Sequence, residues 1–170
     1  MIPSYILPND SYRGAAYARP QAAFLELYEY LGHEKFVKSL KNFINQWKGK
    51  HPIPYDLFNS FNNSCGENLD WFWKPWFYEL GYSDIGIKTV TQNTITLENL
   101  GNMPLGINLE LHFSDNTSEK LKFSCSIWKG QKSIVQIPFN MDGKVLKKAL
   151  LSWSNDRDAN SKNDSWVLHK

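Results

Sequence analysis

Gly81-Tyr82-Ser83 is the point at which the hydrophobic period of this chain changes, and that change decides the fold. After Ser83 apolar residues alternate with polar ones. Ile107, Leu109, Leu111 and Phe113 alternate with Asn108, Glu110 and His112, and Leu121, Phe123, Cys125 and Ile127 with Lys122, Ser124 and Ser126. Val135, Ile137 and Phe139 repeat the pattern, and shorter alternations stand at Ile85–Ile87, Ile95–Leu97 and Leu151–Trp153. A period of two is that of a strand with one buried and one wet face. Turn signals separate these runs at Gln92-Asn93, Gly101-Asn102, Asp115-Asn116, Lys129-Gly130 and Asp142-Gly143. About seven short strands of this kind, the last near Trp166, indicate an antiparallel β-sandwich of the immunoglobulin-like kind.

Before Gly81 the period is that of a helix. Phe24, Leu27, Tyr28 and Leu31 share one helix face, and Gly32 is placed to end that helix in a left-handed C-cap. Phe36, Leu40, Phe43 and Trp47 line a second helix, with Lys35, Lys38, Lys41 and Asn45 opposite. Pro54 can open a third, carrying Leu57, Phe58 and Phe61 and closing at Gly66. Asn68 can cap a fourth, striped by Leu69, Phe72, Trp73, Trp76, Phe77 and Leu80. Pro75 breaks the rules inside that stripe, where a proline removes a donor and costs about 3 kcal/mol. The expectation is an α+β chain: a helical subdomain over residues 1–82 and a β-sandwich over 83–170.

Composition narrows the function classes. The 170 residues carry a formal charge of +2 with scattered basic positions, which offers no footprint for nucleic acid. No run approaches the ~20 apolar residues of a membrane span. Residues 1–5 show no basic region leading into an apolar one, as a secretory leader would. Seven Trp, eight Tyr and ten Phe fall mostly on the periods above, so they read as core. Cys65 and Cys125 have no C-x-x-C spacing and read as free thiols, with a single disulfide as the alternative.

Motifs that carry chemistry are nearly absent. His33-Glu34-Lys35-Phe36-Val37 begins like the zinc motif His-Glu-x-x-His but has Val37 in place of the second histidine, so it reads as a surface pair. His51, His112 and His169 share no ligand spacing. Asn155-Asp156-Arg157-Asp158 and Asn163-Asp164 offer oxygens for calcium without the spacing of an EF-hand loop, and read as a polar loop.

A series of segments nonetheless resembles a known family. Tyr17-Ala18-Arg19-Pro20, Leu31-Gly32-His33-Glu34, Trp47-Lys48-Gly49-Lys50-His51-Pro52-Ile53-Pro54-Tyr55-Asp56-Leu57-Phe58 and Ser64-Cys65-Gly66-Glu67-Asn68-Leu69-Asp70-Trp71-Phe72 follow one another in order. The series resembles the part after the zinc site in the aminopeptidase N and leukotriene-hydrolase superfamily of zinc metallopeptidases (gluzincins), in a bacterial branch. Asn99-x-Gly101-x-Met103-Pro104 and the stretch from Asp158 to Asn163-Asp164 look like the β domain of that branch. Arg19 departs from the branch's usual lysine, Gly49 from its usual aromatic, and Cys65 from the usual residue before Gly66.

The resemblance implies a C-terminal fragment of a zinc-dependent aminopeptidase, inactive alone. It implies no cofactor in this chain, zinc in the intact parent, the missing catalytic domain as partner and peptides as substrate. It also implies that Tyr17, opening the helix that ends at Gly32, donates a hydrogen bond to the developing oxyanion, with Tyr12 as the nearby competitor. The alternative is a free-standing, non-catalytic binding module that uses exposed Trp128, Trp153 or Trp166.

Overall fold

The computed structural model describes residues 6, 8–130, 132–152 and 158–168; Trp153, Asn155, Asp156, Arg157 and His169 lie outside them. The fold is mixed α+β, with helices first and two antiparallel sheets after them. The chain divides into two compact units, Met1–Glu79 and Leu80–Lys170. No helix among the described residues is long and apolar enough to cross a membrane.

The helical unit runs α1 (Asn9–Arg13), a π-helical turn (Gly14–Ala18), α2 (Arg19–Leu31), α3 (His33–Trp47), α4 (Pro54–Cys65) and α5 (Asp70–Phe77). Its core is aromatic. The Phe24 ring meets Phe36, Phe61, Trp73 and Phe77, each at 6.4 Å between centroids, and Phe58 stacks on Trp73 at 4.5 Å. These pairs add about 0.5–1.5 kcal/mol each to the area they bury. The antiparallel α3–α4 pair is tied by Asn42 Nδ2 donating to Ser64 Oγ (3.0 Å), with Ser39 and Ser60 as its small buried residues.

Three features differ from the helical periodicity. The inward line of α3 holds Ser39, fully buried with its hydroxyl bonded back to Lys35 O (2.8 Å), while Leu40 and Ile44 stand exposed. Gly32 does take a positive φ, but with ψ 164 it lies in a region open essentially to glycine alone, outside the left-handed helical one. The stripe of α5 stops at Phe77, and Leu80 lies past it, fully exposed. Pro54 opens α4 and Gly66 closes it as expected, while the N-cap position of α5 is Leu69, one residue past Asn68. Asp56 Oδ2 accepts from Ile53 N (2.8 Å) ahead of Pro54, and Asn68 Oδ1 accepts from Asp70 N (2.7 Å). Asn62 adds a cap from the preceding helix: its Oδ1 accepts from Leu69 N (3.2 Å) and from Trp73 Nε1 (3.0 Å).

The second unit holds β1 (Ile85–Val90), β2 (Thr94–Asn99), β3 (Ile107–Phe113), β4 (Ser118–Phe123), a 3₁₀ turn (Cys125–Trp128), β5 (Ile134–Pro138), β6 (Leu146–Ser152) and β7 (Ser165–Val167). One sheet has the order β1-β2-β5 and the other β4-β3-β6-β7, with every pairing antiparallel. The alternate residues Ile95, Leu97, Ile107, Leu109, Leu111 and Leu151 are buried, as a sandwich requires. At the expected Asp142-Gly143 turn both residues take positive φ, and Lys144 N donates to Met141 O (2.7 Å); this tight turn lies on the connection from β5 of one sheet to β6 of the other.

Two strand readings need correction. The alternation through Ile127 ends as a strand at Phe123. A 3₁₀ turn repeats every three residues, so Cys125 and Trp128 both turn inward, and Trp128 Nε1 donates to Leu105 O (2.9 Å). Trp128 is therefore a core residue and is withdrawn from the exposed rings of a binding module. The strand read at Leu151–Trp153 begins at Leu146, and Leu146 and Ala149 are both buried although three residues apart. The register shift between His112 and Phe113 leaves Lys147 as the bulged residue, which hides the alternation.

The segments quoted from the β half form a polar clasp. Asp158 accepts from Ile85 N (2.9 Å) and Asn160 N (2.7 Å), Asn163 Nδ2 donates to Asp84 Oδ1 (2.9 Å), and Ile87 N donates to Asn163 O (2.8 Å). Asn99 Nδ2 donates to Met103 O (2.9 Å), and a Cβ on Gly101 would lie 1.8 Å from Tyr82 O. The Asp158 side chain thus holds backbone, and the Asn163 side chain holds that of Asp84.

Candidate functional site

The segment around Tyr17 has an irregular backbone with a local cause. Arg13 and Ala18 both have helical dihedrals, so the chain runs as a helix through Tyr17, which does not open one. Pro20 cannot supply an N–H to the carbonyl four residues back, and its ring crowds that carbonyl. The ladder slips by one residue instead, and Arg19 N–H donates to Gly14 O, closing a π turn that contains Tyr17. With more residues per turn, positions five apart approach one face. Tyr12 and Tyr17 accordingly meet edge to face at 5.9 Å.

Tyr17 is 62% exposed, which leaves its ring free to meet something outside the described residues. It lines an open concavity of about 940 Å³ with Asn9, Tyr12, Arg13 and Gln21, all of which carry hydrogen-bond donors. The Tyr17 hydroxyl, in hydrogen-bonding relation to Tyr12, raises the Tyr12 phenol above the ordinary range; repulsion between the two phenols and burial add to it.

Arg19 fixes the far end of the turn. Its Nε donates to Trp76 O (2.7 Å), and Nη2 donates to Pro75 O (2.8 Å) and Glu79 O (3.1 Å). The last carbonyls of a helix have no partner within it. In α5 Tyr78 N and Glu79 N both turn back to Lys74 O, so Pro75 O and Trp76 O fall to the guanidinium. Only a planar fork with several donors serves these acceptors together. Burial lowers the Arg19 pKa from its usual value.

Among the described residues the donors for a metal do not assemble. A zinc site takes three or four His, Cys, Asp or Glu donors. Among the described residues no three such side chains gather closely enough to hold an ion. In the His33-Glu34 pair, His33 Nδ1 is within hydrogen-bond distance of the Tyr28 hydroxyl (3.1 Å). His112 lies in β3 beside Glu110 at 3.5 Å. These residues do not make a zinc site. Cys65, half-buried, and Cys125, buried, are both free thiols. Trp166 is half-buried in β7, paired with Ala149.

The fold has a counterpart among solved structures. The crystal structure of Legionella pneumophila aminopeptidase A in complex with aspartic acid matches 75% of this chain with a TM-score of 0.57 at 20% sequence identity. This chain spans 15% of the length of that protein. No family model matches the sequence, and no curated protein matches it. The likeness concerns the fold.

Proposed function

We propose that this chain is the C-terminal part of a zinc-dependent aminopeptidase and that Tyr17 is its oxyanion hydrogen-bond donor. The observation that carries the reading is the join of two things: the fold match to an aminopeptidase, and the ordered series of segments that resembles the part of such enzymes after the zinc site. The zinc ligands would lie in residues outside this chain, and zinc there would supply the activated water that attacks the peptide carbonyl. This chain would supply the phenol. A donor placed where negative charge develops stabilises the transition state more than the substrate. Tyr17 suits that role by its exposure, its place in a concavity and a turn anchored through Arg19 at its C-terminal end. The chain by itself would bind no zinc and hydrolyse nothing.

The test is an N-terminal amide substrate assay on the protein that joins this chain to its zinc-bearing part. Tyr17→Phe should lower kcat about 10²–10³-fold with KM little changed, the magnitude of one lost oxyanion donor. A kcat within twofold of the parent would sink the assignment of Tyr17, and the same fall in Tyr12→Phe alone would move the role to Tyr12. A coding frame that reaches a stop upstream of residue 1 without a His-Glu-x-x-His would sink the peptidase reading itself.

A further inference from the structure

We infer that Arg19 is the positioning residue for the Tyr17 hydroxyl, an inference that rests on the reading of Tyr17 above. Two independent contacts of one residue carry it. Through its backbone N–H, Arg19 closes the π turn on Gly14 O, and Tyr17 lies inside the ring so formed. Through its guanidinium, Arg19 holds the carbonyls of Pro75, Trp76 and Glu79, at 2.7 to 3.1 Å. The turn is therefore tied to the end of α5, whose Trp73 and Trp76 are 2% exposed and packed among the rings of the helical core.

The physical need is clear from the turn itself. A π turn has a weaker hydrogen-bond ladder than an α-helix and is found mainly in single turns. Its residues, Gly14 to Ala18, are all exposed, so local packing does little to hold its shape. A catalytic donor displaced by about 1 Å can cost a hundredfold in rate. The bracket from Arg19 to α5 supplies, through a part-buried and directional set of hydrogen bonds, the rigidity that the turn lacks. Arg19 itself does not touch the substrate in this scheme; it acts through Tyr17.

The bracket also makes a requirement on chemistry. The accepting carbonyls belong to three residues and are reached by two different nitrogens of one plane. Lysine brings its donors to a single point and would reach part of this set. Arg19→Lys should thus fall between the parent and Arg19→Met, which keeps an unbranched stem and loses every side-chain donor.

The experiment is NMR of the full chain with labelled tyrosine rings, the Tyr17 signal being assigned from Tyr17→Phe. In Arg19→Met the ring contact between Tyr12 and Tyr17 should disappear and the Tyr17 ring signal should move toward its random-coil position. The Phe24–Trp73 contact should remain as the control for the core. Arg19→Lys should show the same change at reduced size and serves if the Met variant fails to fold. An unchanged Tyr12–Tyr17 contact and Tyr17 signal in either folded variant would overturn the inference and leave Arg19 a staple for α5 alone. In the zinc-bearing protein Arg19→Met should lower kcat about tenfold or more at constant KM. If Tyr17→Phe leaves kcat intact while Arg19→Met still moves the Tyr17 signal, the oxyanion reading fails and the bracket stands. If Tyr17→Phe lowers kcat but Arg19→Met moves neither the signal nor kcat, the bracket fails and the oxyanion reading stands.

Discussion

The two units of this chain reach a buried core by opposite means. In the helical unit a few large rings touch one another across α2, α3, α4 and α5, and Phe24 alone meets four of them. In the β unit the core is spread over many aliphatic residues at alternate positions, and polar side chains from distant segments fasten β1 and the residue before it. The contrast shows where each unit is sensitive. The helical unit concentrates its stability in a cluster whose members depend on each other. The β unit distributes it, but relies on places where two backbones come too close for any side chain.

The sharpest break in this comparison is Phe61→Ala. Phe61 is fully buried and its ring touches Phe24, Phe36 and Trp73. Its loss should cost the helical unit about 3–5 kcal/mol. Urea unfolding followed by NMR should show the helical signals lost early and those of Leu109 and Leu111 unmoved. Equal loss in both units would end the division drawn here. The matching break in the β unit is Gly101→Ala. The new Cβ would sit 1.8 Å from Tyr82 O, so the backbone must move, at about 1–3 kcal/mol for overpacking. A stability unchanged by urea denaturation would show that the Tyr82–Asn102 bridge is not tight in solution.

The smallest effects come from pH, and they sort the units by sign. The Asp115 carboxyl is held down to about 2, first by the Thr117 hydroxyl, then by the Thr117 N–H and Lys144. Its folded value is below its unfolded one, so its contribution is present above about pH 4 and is lost as pH falls through about 2. The Tyr78 phenol is pushed up to about 12, first by burial and then by the Tyr55 hydroxyl. Its contribution is present below about pH 10 and is lost as pH rises through about 12. Acid should therefore loosen the β unit and alkali the helical one. Asp115→Asn should flatten the acid limb, and Tyr55→Phe should bring the phenolate absorbance step of Tyr78 back toward 10.

Which parts were legible in the sequence follows from which forces are local. Alternation and helical spacing record a buried face, so β2 and β3 and the stripes of α2, α4 and α5 could be read directly. A bulge adds one residue to a strand, and Lys147 thereby hid the first half of β6. The period of two at Cys125 and Ile127 was real on paper, but the chain turns three residues per repeat there and buries Cys125 and Trp128. Pro75 still lacks the N–H that would reach the carbonyl four residues back; Arg19, more than fifty positions away, takes Pro75's own carbonyl and leaves that lost donor without a substitute. The irregular turn at Tyr17 was foreshadowed only by Pro20, whose missing donor displaces the ladder ahead of it. Nothing near Tyr17 in sequence announces the bracket to α5, because the acceptors are backbone atoms and leave no residue-type signature.

One further consequence concerns the making of the chain. The clasp joins Asp84 to Asn163, 79 positions apart, and Ile85 to Asp158. During vectorial synthesis, at about 5–20 residues per second, β1 waits about 4–16 seconds for the segment that satisfies its edge. The helical unit, by contrast, makes the ring contacts described above within its own residues and can settle while the ribosome is still at work. The nascent β unit is therefore the part of this protein that needs shelter, and β1 is the strand left open longest.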